Sequence, residues 1–115
     1  MEQPLAAVEV RKDEQTRLYE ALIGGRVVGT LAYETIGGQI SLTHSYVDGD
    51  VRRQGVASAL ARYALEDVGR SGMKARIYCE FVADYVQEHP ELAENVDINR
   101  SSFIATHTVR DTKRS

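Results

Sequence analysis

The chain predicts an α+β fold, a mixed but mostly antiparallel sheet carrying two main helices, and three observations lead there. Between residues 16 and 47, three strand-like stretches are joined by the pairs Gly24-Gly25 and Gly37-Gly38, the pattern of an antiparallel meander. Beyond residue 50 the apolar period lengthens to about 3.6 residues, with Val56, Leu60, Tyr63, Ala64 and Val68 on one stripe. A short strand-like stretch follows that helix, so a crossover should set it parallel to the strand before it.

Taken in order, Leu5 to Arg11 alternates as a first strand and Lys12 to Gln15 is a polar turn. Thr16 to Ile23 is the second strand, and Gly24-Gly25 supplies the positive φ of a tight hairpin. Arg26 to Thr35, rich in Val, Thr and Tyr, is the third, and Gln39 to Val47 the fourth. Gln54 to Val68 is helical, stopped by Gly69 and Ser71-Gly72. Lys74 to Cys79 is the fifth strand. Glu80 to Glu88 is a second helix, with Phe81, Val82, Tyr85 and Val86 on one side and Pro90 as its stop. Residues 1–96 form the domain, and 97–115 read as a weakly ordered, basic tail.

At 115 residues, 43% hydrophobic and 27% charged, the composition is that of one ordinary globular domain. Its apolar runs are short, which predicts no membrane span and no signal segment. One cysteine cannot form an internal disulfide, and three scattered histidines give no metal-ligand spacing, so no metal is expected. The expected home is the cytoplasm. Residues 1–96 carry ten basic against fifteen acidic side chains, and 97–115 carry four against two. An acidic body argues against nucleic acid as a partner and suits a cationic one, although solubility alone explains such a surface equally well.

The stretch that organises the chain is Val51-Arg52-Arg53-Gln54-Gly55-Val56-Ala57. It joins a strand end, through Asp48-Gly49-Asp50, to a helix start. The first N–H groups of a helix lack internal partners, and the helix dipole adds positive potential there. Gly55 and Ala57 leave little side chain where a diphosphate would approach, and Arg52 and Arg53 place charge beside it. Two arginines and a glycine in a turn are also ordinary features of a solvated loop. Neither G-x-x-x-x-G-K-[ST] nor G-x-G-x-x-G occurs, so the phosphate loop of nucleotide triphosphatases and the dinucleotide fingerprint are both excluded.

This stretch resembles the acyl-CoA signature R/Q-x-x-G-x-G/A of the GNAT superfamily of N-acetyltransferases, with Arg52, Gly55 and Ala57 filling it. His44-Ser45-Tyr46-Val47 before it, Cys79-Glu80-Phe81-Val82 after it and Tyr85 to Glu91 beyond are similar to the very small single-domain GNAT-like proteins sometimes called the YjdJ type. Order and spacing match over roughly residues 5–95. Two positions depart: Gly49 stands where the family often has Pro, and Ala57 replaces the last glycine of the signature. The resemblance implies a trimmed GNAT-like fold, since only a few residues separate the first two strands where the full fold inserts two helices.

The resemblance also implies chemistry: acetyl-CoA as cosubstrate and an amine, small-molecule or protein, as acceptor. Backbone N–H groups from Gln54 through Gly55 and Val56 to Ala57 would hold the diphosphate, helped by Arg52 and Arg53. Tyr46 and Val47 would pair with the pantetheine arm, and a backbone N–H there would polarise the thioester. Tyr85 stands where the family's acid often lies, and a core or surface aromatic is its plain alternative. His44 is the candidate base because imidazole titrates near neutrality. Its parity with Ile40 and Leu42 also fits a hydrogen-bonded structural histidine. Cys79, next to a helix start whose dipole favours thiolate, is a candidate nucleophile, while a buried thiol lining the thioester pocket is the simpler role. Transfer from acetyl-CoA to an amine is the leading function. A non-catalytic acyl-CoA-binding module and a homodimeric interaction domain are the alternatives, the chain being a monomer or homodimer.

Overall fold

Paired glycines set the first turns: Gly24 and Gly25 take φ values of 58° and 81°, and Gly37 and Gly38 take 57° and 80°. Two consecutive positive φ angles match the twist of the flanking strands, so each pair closes a two-residue hairpin. The computed structural model describes residues 8–98, apart from positions 53 and 95. Strands β1 (Val8–Asp13), β2 (Leu18–Ile23), β3 (Arg26–Ile36) and β4 (Gln39–Val47) form the meander. The β1–β2 turn is held by Asp13, whose Oδ1 accepts from the Gln15 and Thr16 amides at 3.0 and 3.4 Å. The first strand runs on to Asp13, past the Arg11 that its sequence pattern suggests, and positions 5–7 lie outside the described residues.

Helix α1 (Val56–Ser71) crosses to β5 (Lys74–Ile77), helix α2 (Glu80–Glu88) follows, and β6 (Val96–Ile98) completes a six-stranded sheet in sequential order. β1 to β4 pair antiparallel, whereas β4–β5 and β5–β6 are parallel. This is the mixed, mostly antiparallel α+β sheet with two helices that the sequence predicts. It is the trimmed form, because a four-residue turn joins β1 to β2. Several boundaries shift by one to three residues from the sequence reading, three of them of note. α1 continues through Gly69 to Ser71, β5 stops at Ile77, and β6 takes in Asp97 and Ile98, which that reading gives to the tail.

α1 lies across β1 to β5, and α2 packs on β4, β5 and α1. Their apolar stripes and alternate strand residues make one core, in which Tyr19, Leu31, Leu42, Leu60 and Ile77 are no more than 1% exposed. α1 comes close because β3 presents a glycine. A Cβ built on Gly29 would stand 2.9 Å from Val56 Cγ1 and 3.0 Å from the Tyr46 carbonyl. A side chain there would push the start of α1 off the sheet.

Candidate functional site

β4 and β5 part company at one residue. Their parallel register ends with Leu42 opposite Ile77. The Leu42 carbonyl then accepts from both the Tyr78 amide (2.9 Å) and the Cys79 amide (3.2 Å), which turns the chain out of the sheet into α2. From Thr43 to Val47, β4 keeps β3 on one side but has no β5 partner on the other. Its backbone groups on that side face the wedge between the two strands.

A bulge accompanies the opening. Leu31 pairs with Ser45 and Tyr33 with Leu42, so Thr43 and His44 together oppose Ala32. The Thr43 hydroxyl donates to the Ala32 carbonyl at 3.3 Å. The extra residue reverses the side-chain parity. His44 therefore does not share the buried side of Ile40 and Leu42 but is exposed, as is Tyr46, while Ser45 and Val47 are half-buried. The parity expected for His44, and with it the structural histidine, is corrected by this bulge.

The cradle begins at the wedge. The Asp48 amide donates to the Val28 carbonyl (2.8 Å), tying the end of β4 to β3, and Gly49–Val51 form one 3-10 turn. Gly55 is the N-cap of α1 at φ 80° and ψ 12°, a left-handed conformation that glycine adopts without steric cost. No side chain caps the helix, and among the described residues its first backbone bond runs from the Ala59 amide to the Gly55 carbonyl (2.9 Å). The N–H groups just ahead of Ala59 thus meet the open end of the helix, where an anion is favoured. The Gln54 amide is not among them, since it donates to the Val51 carbonyl at 3.3 Å. Arg53 lies outside the described residues.

A cavity of about 220 Å³ opens at this end, lined by Val47, Val51, Arg52, Gly55, Val56, Ala57, Ser58 and Phe81. One turn of cradle, the end of β4 and the first turn of α2 thus converge on a single space. Its walls are mostly apolar, with Arg52 and the uncapped helix end as the polar elements.

Cys79 and Tyr85, two of the candidate reactive side chains, have separate partners. Cys79 is the N-cap of α2 and is 8% exposed, its Sγ 3.7 Å from Ser45 Oγ. Tyr85, also 8% exposed, accepts a hydrogen bond from Arg62 Nε (3.2 Å), and its ring stacks on His89 at 4.0 Å between centroids. Because the guanidinium can only donate, the Tyr85 hydroxyl keeps its own proton to give. Arg62 is anchored in turn by Glu66 (3.2 Å) and Glu91 (3.3 Å). The Glu91 carboxyl is lowered from its usual value, first by its own backbone N–H and, against the opposing effect of burial, by Arg62 and His89. Among the described residues no hydrogen bond joins His44 to Cys79 or Tyr85, and no cluster of His, Cys, Asp and Glu has the makings of a metal site.

Sequence reasoning missed Ser45, Arg62 and Gly29. Only Gly29 left a signal, as a glycine inside a strand of Val, Thr and Tyr.

Comparison with known proteins places the chain in a family. Residues 18–96 match the family described as GCN5-related N-acetyl-transferase. The chain is 34% identical over 97 residues to Protein NATD1 of Homo sapiens, covering 76% of this chain and 84% of that one. It is 31% identical over 91 residues to Protein NATD1 of Xenopus tropicalis, covering 76% and 82%. Among solved structures, it is similar to the ribosomal-protein-S18-alanine N-acetyltransferase from Escherichia coli, with a TM-score of 0.47 and 17% identity. That match covers 62% of this chain and only about half, 52%, of the solved one. Among the described residues no helix is long and apolar enough to cross a membrane. With a family match that spans more than half its length, the chain belongs to the GCN5-related N-acetyltransferase family.

Proposed function

We propose that this protein moves an acetyl group from acetyl-CoA to an amine. The observation that carries the reading is the convergence, on one cavity, of an uncapped helix start at Gly55 and the unpaired edge of β4. The N–H groups at the start of α1 suit a diphosphate, with Arg52 beside it, and the apolar walls suit the alkyl part of pantetheine. The free β4 edge suits an extended amide-bearing arm, which would add to the sheet like a strand.

In this reading the amine nitrogen attacks the thioester carbon, and a β4 backbone N–H stabilises the resulting oxyanion. The carbon–sulfur bond then breaks, the amine gives up a proton to a base, and the sulfur gains one. Tyr85 retains a proton for the thiolate, and exposed His44 is the β4 side chain whose imidazole can serve as the base. Cys79 lines the site rather than attacking. Its Sγ meets a hydroxyl and no base among the described residues.

Ala57 is the second residue of α1 and lines the cavity. Ala57→Leu keeps a good helix former and fills the space before the helix end. Calorimetry should show CoA binding to the wild type and a loss of at least about tenfold in Ala57→Leu, roughly 1.4 kcal/mol. Equal affinity in the two proteins would overturn the cradle. Turnover of acetyl-CoA with a panel of amines then separates an enzyme from a binding module.

A further inference from the structure

The turn that leads into the cradle carries two acids, Asp48 and Asp50, immediately before the cavity-lining Val51 and Arg52. Two carboxylates in the approach to an anion site oppose its function, because each repels a diphosphate over several ångströms. The structure answers with one residue from a different hairpin. Arg26, the first residue of β3, donates from Nη1 to Asp48 Oδ2 at 3.0 Å and from Nη2 to Asp50 Oδ2 at 3.4 Å. Sequence alone gives no hint of this pairing, which spans 22 and 24 positions.

We propose that Arg26 is a positioning residue for the acyl-CoA diphosphate. It cancels part of the field of Asp48 and Asp50 and holds both acids on the hairpin side of the turn. It also keeps them from Arg52, which among the described residues has no ion pair. This rests on the acetyl-CoA reading above, since without an anion at the helix start there is nothing for Arg26 to protect. The contact is too exposed to matter much for folding. Side-chain exposures of 57% for Arg26 and 69% for Asp50 describe a pair of the kind that adds little stability. Asp48 makes no side-chain cap on the 3-10 turn, so an amide there is tolerated.

The test is calorimetric titration of CoA into the 115-residue protein at low ionic strength and again at about 0.5 M salt, where screening shortens charge effects to a few ångströms. Arg26→Ala should weaken binding about threefold to tenfold at low salt and much less at high salt. Adding Asp48→Asn and Asp50→Asn to that variant should restore affinity to at least the wild-type level. Asp50→Asn alone should tighten binding. Restoration separates a charge effect from a structural one, because neutralising the acids cannot rebuild the lost contact. Unchanged affinity in Arg26→Ala, or no restoration in the triple variant, overturns the proposal while CoA binding by the wild type stands. A wild type that binds no CoA overturns the cradle itself, and this proposal with it.

Discussion

Cys79 shows how much one side chain owes to its neighbours. Its place before α2 is legible in the sequence, because Glu80 and the apolar spacing behind it mark a helix start. Its environment is not legible. The thiol lies 3.7 Å from the Ser45 hydroxyl, 34 positions away, and that contact depends on a bulge that turns Ser45 inward and His44 outward. The start of α2 favours a thiolate, but full activation also calls for a base or cation beside the thiol, and a hydroxyl is neither. Cys79→Ala should therefore keep transfer within about threefold of wild type, the loss of one small buried group from a packed site. Intact-protein mass spectrometry after incubation with acetyl-CoA alone should show no added acetyl. A stoichiometric adduct that disappears in Cys79→Ala would make the mechanism two-step. Gly55 and Ala57 belong to the legible side, since their place at the start of α1 depends on backbone conformation and small size. Arg26 and Arg62 belong to the other, because each finds its partner across the fold.

At the level of elements, periodicity and turn chemistry located nearly everything, and the misses have local causes. α2 was readable in full, with a polar start and Pro90 as its stop. α1 was cut short because two glycines compete to end it. Gly69 is exposed inside the helix, whereas Gly72 holds φ 76° and closes the helix with a bond to the Gly69 carbonyl. Ser71 assists, its hydroxyl donating to the Val68 carbonyl at 2.7 Å and accepting from the Met73 amide at 3.1 Å. These positions should respond with opposite sign. Gly69→Ala should stabilise by about 0.5–1 kcal/mol, since alanine gives up less backbone freedom in a helix. Gly72→Ala should destabilise by about 1–2 kcal/mol, because an L side chain is strained in the left-handed region. Urea denaturation of both variants checks this, and a stabilising Gly72→Ala would place the end of the helix elsewhere. β6 escaped notice because three residues show no period, and their partner, β5, precedes them by about twenty positions.

Across the whole molecule, the end of α1 away from the cradle is fastened by a polar and aromatic cluster drawn from four elements. Tyr19 on β2 is fully buried and donates to Asp67 Oδ2 on α1 at 3.0 Å. Lys12 on β1 pairs with the same oxygen at 3.0 Å and lies over the rings of Tyr19 and of Tyr33 on β3. Burial, then the Asp67 charge, push the Tyr19 phenol well above its usual value. Burial opposes the Lys12 charge, but Asp67 more than compensates, so the ammonium is also raised from its usual 10.5. Both shifts have the same sign: the folded protein holds these protons more tightly than the unfolded chain. Below the unfolded values, 10.0 for tyrosine and 10.5 for lysine, both states are protonated and the stabilisation is fully present. As pH climbs past 10 the unfolded chain gives up its protons first, and stability is lost progressively. Tyr19→Phe removes one of the raised groups and leaves Asp67 paired with Lys12 and, at 3.6 Å, with Arg70. At pH 8 this variant should be less stable than wild type by about 1 kcal/mol, the net worth of a hydrogen bond. Between pH 9 and 11 its urea midpoint should fall less steeply than that of the wild type. Parallel decline of the two midpoints would mean that the phenol proton is not what couples the fold to alkaline pH.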